Sequence, residues 1–412
     1  MNIHTNTLSK THQSDENKVK SLLTDVENFC QEIRPEEELC YLERKPNEKV
    51  IPLARKYQLL GMLIPEEYHG RQADTVTYLR SLARIGREGT GVRTFFSGHV
   101  SIGSYPIVRF GSPELKNKYL FAAARGDKIL AFGLTEPEAG SNPLEMQSTY
   151  RKTGNSYRLN GVKYLISNGG IADAVIVFAY PEEESGASSA KNRRVSAFVV
   201  DTNAKGFQAE SFTAQAKMGM PTSNTAMFEM QDVEVPMENL LGEEGNGFRI
   251  AMATLVSGRL SVAAGCLGVI EDCLQEAINY SKERHQHGKP IAKHQLVQSH
   301  LAEIELARAA SSALITEAAM AKDAANADPD NPEKEKAADM FAAKAKWFAS
   351  NAAWRAADHA VQILGGRGWS TLYRPGRHLM DVRVCRIYEG TDEILQLKIA
   401  SSLLGKEYEA FK

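Results

Sequence analysis

Two segments carry residue types and spacings that suit chemistry. In Phe132-Gly-Leu134-Thr135-Glu136-Pro137-Glu-Ala-Gly140-Ser141-Asn142 a β-rich run opens into a loop of small and hydroxyl residues. Such a loop lets backbone N–H groups and hydroxyls come close to a planar or anionic ligand, although a plain strand-to-loop connection would read the same way. In Arg386-Ile-Tyr388-Glu389-Gly390-Thr391 a carboxylate sits on a Gly-containing turn immediately before the last helix. By itself that placement could be no more than favourable negative charge at a helix N-terminus. Cys30, Cys40, Cys266, Cys273 and Cys385 are odd in number, scattered and free of CxxC or Cys/His metal spacing. They are expected as buried or half-buried free thiols, with no metal centre. Neither GxGxxG nor GxxxxGK[ST] occurs, so nucleotide binding through those two loops has no support.

The elements that must position these segments fall into three blocks. Residues 1–17 read as a frayed tail, after which Val19, Leu22, Leu23, Val26, Phe29 and Ile33 recur at helical spacing. Further helices are expected at 48–63, 74–88 and 92–110, broken by Pro65, Gly70, Gly89 and Gly111. From residue 128 short β-rich runs follow, starting at Lys128, Tyr157, Ala174, Val195 and Ala226; Asn160-Gly161 is a hairpin-type signal. The Ser-, Gly- and charge-rich stretch Glu182 to Asn192 is expected as a solvated loop. After Gly242 and Gly245 helical periodicity returns over 247–284, 292–324, 334–364 and 391–405, with a loop from Asp323 to Lys336. The expected fold class is α+β: an N-terminal helical domain (1–127), a central β-barrel-like domain (128–240) and a C-terminal bundle of long helices (241–412). Helices longer than 25 residues that carry apolar residues on more than one face imply a homo-oligomer.

Composition excludes several classes of function. In 412 residues, Lys+Arg 49 against Asp+Glu 51 leaves a net charge of −2, so there is no basic field for nucleic acid or an anionic membrane. The polar first residues lack an apolar leader-like stretch, and no run of about 18 consecutive apolar residues occurs. A cytoplasmic protein with no nucleic-acid or membrane partner is expected.

Taken together, Leu134-Thr135-Glu136-Pro137-Glu-Ala-Gly140-Ser141, Gln362-Ile-Leu-Gly-Gly366-Arg-Gly and Tyr388-Glu389-Gly390-Thr391 resemble the signatures of the acyl-CoA dehydrogenases, in the family's order and across about 20–405. The resemblance implies the helix–β–helix fold, FAD as cofactor, and dehydrogenation of an acyl thioester to its trans-2-enoyl form. Glu389 would remove the α-proton and the flavin would take the β-hydride. Removal of such a proton needs a base in a dry pocket, where desolvation raises a carboxylate's pKa. Some family members carry the base on the helix matching 247–280, just before an Arg; here that position is Gly258, followed by Arg259.

By resemblance the flavin contacts are Phe132, Leu134, Thr135, Ser141, Ile166, Ser167, Gln295, Gln362, Gly366 and Thr391. Arg284, Gln286 and His287 would form an arm that reaches the FAD pyrophosphate of a neighbouring subunit. Leu165 stands where many members have Trp, His287 where many have Phe, and Asn142 where Asp is common. Ser141, Tyr388, Gly390 and Arg259 fall on the substrate side. Arg93 falls where glutaryl-CoA dehydrogenases hold a distal carboxylate; a salt bridge to an acid such as Glu88 is the structural alternative. The thioester could be carried by CoA or by an acyl carrier protein, and an electron-transferring flavoprotein or another acceptor would reoxidise the flavin. The shared site implies at least a dimer, and the family's pattern a tetramer built as a dimer of dimers. A flavin oxidase or monooxygenase, or a non-catalytic binding protein on the same fold, is the competing reading; the Glu at 389 argues against the first.

Overall fold

The computed structural model describes residues 4–182, 194–408 and 410. The expected solvated loop therefore lies outside the described residues beyond Glu182. Six helices come first: α1 (His4–Glu43), α2 (Val50–Lys56), α3 (Thr75–Gly86), α4 (Thr90–Phe96), α5 (Tyr105–Phe110) and α6 (Pro113–Arg125). Local chemistry sets several of their ends. The Asp74 side chain accepts from Thr77 N–H at the start of α3, and Ser112 with Pro113 opens α6, which stops at left-handed Gly126. The expected tail is instead part of α1, because nothing between His4 and Asn17 is Gly or Pro. The expected helix over 48–63 is only α2, and the chain beyond it turns through left-handed Gln58.

The expected helix over 92–110 is three segments. Between α4 and α5, Ser97–Ser104 winds as a π-helix, every residue of it buried. There His99 bonds Ala123 O through Nε2 and accepts Leu130 N–H at Nδ1, tying the helices to the first strand. Burial pushes this imidazole down to about 4, so it is neutral at physiological pH and can serve as both donor and acceptor.

Eight strands follow: β1 (Leu130–Gly133), β2 (Thr149–Thr153), β3 (Ser156–Ser167), β4 (Ala174–Pro181), β5 (Ser196–Asp201), β6 (Phe207–Ser211), β7 (Thr225–Pro236) and β8 (Leu240–Leu241). They pair in the order β6-β7-β3-β2-β4-β5-β8, with β1 parallel to β4. Asn160-Gly161 is not a hairpin turn. It lies inside β3 at a bulge opposite β7, where Asn160 Oδ1 accepts Asp232 N–H and a Cβ at Gly161 would strike Ser148. The hairpin between β2 and β3 turns instead at Gly154-Asn155, with Gly154 left-handed. Exposed, polar β2 and β6 carried too little apolar alternation to be legible.

The rest is helical apart from a small two-stranded arm: α7 (Gly247–Glu283), β9 (His285–Gln286), β10 (Lys289–Pro290), α8 (Gln295–Ala327), α9 (Pro332–Leu364), α10 (Gly366–Trp369), α11 (Arg374–Val382) and α12 (Asp392–Leu404). The loop expected over 323–336 shrinks to 328–331, since α8 runs on to Ala327 and Asn331-Pro332 caps α9. Among the described residues α7 alone is long and apolar enough to cross a membrane, but 89% of its apolar window is buried inside the protein, so that hydropathy serves the core. Packed on α3, α8, α9 and α11, α7 joins the N-terminal helices to the bundle. Its Asp272 binds Arg374 and His378 of α11, at 2.7 and 2.8 Å, and Arg34 of α1. That network fixes the chain just upstream of residues 383–390.

Candidate active site

The turn before α12 half-buries one carboxyl group and puts one of its oxygens out of reach of water. Glu389 and Gly390 both have positive φ, 55° and 92°, and Thr391 then caps α12 by accepting Ile394 N–H. A non-glycine residue in the left-handed region persists only where its surroundings hold it. Here Arg259 Nε donates to Glu389 O at 3.2 Å, and Lys346 Nζ donates to Gly390 O at 2.6 Å. Glu389 Oε2 is buried and, among the described residues, has no hydrogen-bond partner. Burial pushes this carboxyl up to about 7, against the opposing pull of Arg259, Lys346 and Arg93. A Cβ at Gly258 would collide with Oε2, so a side chain on α7 and the one at 389 would compete for a single space. Arg259 is no solvated helix charge: it is buried and paired with Asp339 at 2.7 Å, beneath the Glu389 carbonyl.

One wall beside this carboxyl is polar. Arg93, 1% exposed, reaches Tyr388 OH, and its Nε is buried without a partner. The acid expected to pair with it, Glu88, is taken by Arg34 and Arg84, and among the described residues Arg93 has no ion pair. Room for its side chain exists because α7 has Gly265 opposite. Thr94 Oγ1 is also buried and unpartnered, and Ser97 bonds Ser261. Cys385 Sγ lies 3.2 Å from Tyr388 OH; a hydrogen bond with Cys266, and then Arg93, pull its thiol down. All five cysteines are buried and free, as expected.

A second group of expected residues gathers where β1 meets the end of β3. Phe132, Leu134 and Ile166 are buried, Thr135 and Ser167 half-buried, and Tyr164 N–H donates to Thr135 O at 2.9 Å. Left-handed Leu165 turns its side chain out, 56% exposed, and Asn168 Nδ2 bonds Phe95 O of α4. Gly98, one turn beyond Thr94, leaves room for Asn168 and Ser167, so the two groups meet across α4 and the π-helix. An outward apolar side chain beside two half-buried hydroxyls fits a planar heteroaromatic ring of the flavin kind. Ser141 is exposed on the open loop that follows.

The other expected contacts are not brought to this place within one chain. Arg284, Gln286 and His287 lie on the exposed arm, whose turn has left-handed His287 and Gly288, and Gln295, Gln362 and Gly366 are exposed near it or at the end of α9. From Gly258 to the end of α7 at Glu283 is about 38 Å at 1.5 Å per residue. Thr391 alone of this set stays with Glu389.

Three sequence profiles match in order: the N-terminal domain of acyl-CoA dehydrogenase over residues 17–127, the middle domain over 131–233 and the C-terminal domain over 245–404. The chain belongs to the acyl-CoA dehydrogenase family. It is 40% identical over 350 residues to an acyl-CoA dehydrogenase of Bacillus subtilis (strain 168), covering 85% of this chain and 88% of that one. Butyryl-CoA dehydrogenase from Megasphaera elsdenii superposes with a TM-score of 0.86 at 35% identity, covering 94% of this chain and 98% of that one. A glutaryl-CoA dehydrogenase from Mycobacterium smegmatis, solved in complex with FADH2, gives 0.84 at 27% identity, covering 97% and 96%.

Sequence reasoning missed the groups that brace this acyl-CoA dehydrogenase's site from behind. Lys163, wholly buried, bonds Glu136 Oε1 at 2.7 Å and Phe178 O at 2.8 Å, while Glu136 also accepts Gln147 N–H, Ser148 N–H and the Ser148 hydroxyl. The pair holds the loop that follows Thr135. A lysine at the inward phase of a half-buried strand was the available signal. Lys346 announced itself similarly, as a lone cation within the alanine-rich face of α9. Replacing one partner strands the other in the interior. Lys163→Met is therefore expected to lose about 3–5 kcal/mol of stability in denaturant titrations, whereas a loss below about 1 kcal/mol would mean that water reaches the pair.

Proposed function

We propose that this protein is an FAD-dependent dehydrogenase of an acyl thioester in which Glu389 is the base that removes the α-proton. The observation that carries this reading is the buried, partnerless Oε2 of Glu389, held near neutrality by burial. An exposed carboxylate near 4.3 would be too weak a base to take so reluctant a proton. A flavin, when bound, accepts the hydride from the β carbon. The chain's part is to exclude water, hold the carboxyl in its left-handed turn and keep Arg259 and Lys346 on the adjacent carbonyls, so that the base does not swing away when it becomes neutral. Thr135, Ser167 and the outward Leu165 supply the ring's polar and apolar contacts.

The reading is tested by anaerobic visible titration of the purified protein with short, branched and dicarboxylic acyl-CoAs and the matching pantetheine thioesters. Bleaching of a flavin band by one of them supports it; a protein that shows no flavin band even with added FAD is not this enzyme. Glu389→Gln is expected to keep the band and lose turnover by at least about a thousandfold. In the free wild-type enzyme kcat/KM should rise as pH passes about 7, because the base works only when ionised.

The acyl group, in this reading, ends in an anion or a strong hydrogen-bond acceptor. Arg93 is buried beside Tyr388 with no carboxylate of its own among the described residues, and a buried guanidinium left without a counter-charge is costly. A substrate carboxylate would supply that charge, with Thr94 and Ser97 at hand. Arg93→Gln is expected to lower kcat/KM for glutaryl-CoA by tenfold or more, roughly the 1.5–3 kcal/mol of a hydrogen bond to a charged group, and to leave butyryl-CoA little changed. Equal losses on both would refute the assignment.

The active assembly is a dimer of dimers, in which two chains share each flavin site. Arg284 and Gln286 follow the end of α7, about 38 Å along that helix from Gly258 beside the base, beyond the span of one dinucleotide, so they would serve a neighbour's pyrophosphate. Leu296, Trp369 and Leu372, each at least two-thirds exposed in the single chain, supply apolar surface for that contact. Arg284→Ala should emerge from gel filtration with less flavin per chain than wild type, and full retention would exclude the shared site.

A further inference from the structure

Lys346 lies on α9 at 0% exposure, surrounded on its own helix by Ala342, Ala343, Ala345, Ala349 and Ser350, all buried. Its one hydrogen bond among those described is to a main-chain oxygen, Gly390 O, at 2.6 Å, and among the described residues it forms no ion pair. Burying an ammonium among alanines costs several kcal/mol that a neutral side chain of the same shape would avoid. The carbonyl it holds belongs to the residue after Glu389, in the turn whose two φ angles are positive. We propose that Lys346 is a positioning residue for α-proton removal, its ammonium pinning the Glu389–Gly390 turn through the Gly390 carbonyl. The proposal rests on Glu389 being the base.

Two cations bracket that turn, and they differ in how much charge they deliver. Arg259, under the Glu389 carbonyl, is largely neutralised by Asp339, which also takes Lys398 at 2.5 Å. Lys346 has no such neutralising partner, so its field falls on what is near: Cys385, Asp392, Cys266 and Glu389. The charges that act on the Glu389 carboxyl are Arg259 from α7, Lys346 from α9 and Arg93 from α4; against those cations lie Asp339 of α9, Cys266 of α7, and Tyr388, Cys385 and Asp392 of the segment that carries Glu389. Asp392 is already engaged by Arg386 and Asn351. Lys346 thus holds the base in place and limits how far burial can raise its affinity for a proton. Removing that positive charge makes Glu389 harder to ionise, so the pH at which activity appears moves upward.

The test uses the FAD-loaded full-length enzyme with butyryl-CoA or glutaryl-CoA, whichever it turns over. Lys346→Met, which keeps length and apolar packing, is expected to retain FAD stoichiometry, to lose kcat by tenfold or more with a smaller change in KM, and to shift the rising limb of the kcat/KM profile upward by about half a pH unit or more. Lys346→Arg keeps the charge and should leave that limb near the wild-type position. Loss of activity with the limb unmoved in Lys346→Met would assign Lys346 to packing alone and overturn the proposal, as would wild-type kcat in that variant. Should Lys346→Met not fold, Lys346→Gln, which can still donate to the carbonyl but carries no charge, is read by the same shift of the limb. Full turnover in Glu389→Gln would instead bring down the reading on which this one stands, a different outcome from either.

Discussion

The central constraint is the burial of one carboxyl that must remain able to ionise. Everything near Glu389 answers to it. A carboxylate in a dry interior becomes neutral unless positive charge stands close by, and a wholly paired carboxylate becomes too weak a base. The structure lies between these extremes by putting cations on the neighbouring main-chain oxygens rather than on the carboxyl itself. Among the described residues Oε2 has no partner, so on the proposed reading its lone pair is free for a substrate proton, while the field of Arg259, Lys346 and Arg93 keeps ionisation within reach near neutral pH.

That arrangement dictates features far from the site. To bring cations from α4, α7 and α9 onto one turn, the helices must pack closely, and glycines at 258 and 265 on α7 provide the room for Glu389 and Arg93. The turn itself must be left-handed, so the chain before it is anchored by the Asp272–Arg374–His378 network and the chain after it by the Thr391 cap. On the other side the pair of Glu136 and Lys163 fixes the loop after β1. Both faces of the site are thus braced by buried charge, which tolerates loss of a partner badly.

The fold was largely legible because long helices with 3.6-residue periodicity and apolar strands announce themselves locally. What escaped was decided by tertiary context. The π-helix at Ser97–Ser104 depends on His99 bridging α6 and β1, and the bulge at Asn160-Gly161 depends on Ser148 lying against it; no neighbour in sequence reveals either. Glu389 was found through its motif, and the motif said nothing of its unpartnered oxygen. The sequence leaves Arg93 between a substrate carboxylate and a salt bridge to Glu88 or another acidic neighbour; Glu88 goes to Arg34 and Arg84, and among the described residues Arg93 has no ion pair. Lys346 was visible as a cation on a face of alanines, but its meaning needed the Gly390 carbonyl, 44 residues away in sequence.

The length of α7 links the chemistry to assembly. The same helix supplies Gly258 and Arg259 at the base and carries the arm with Arg284 and Gln286 at its far end. A rigid rod of about 55 Å cannot bend its arm back to its own site. On the proposed reading such a helix gives one chain two partial sites and none that is complete, and the arm would serve the flavin of a second copy. In this scheme the surface left apolar around Leu296, Trp369 and Leu372 is a requirement of the site: the dinucleotide is held at both ends only where that surface is covered, which couples cofactor retention to association of the chains.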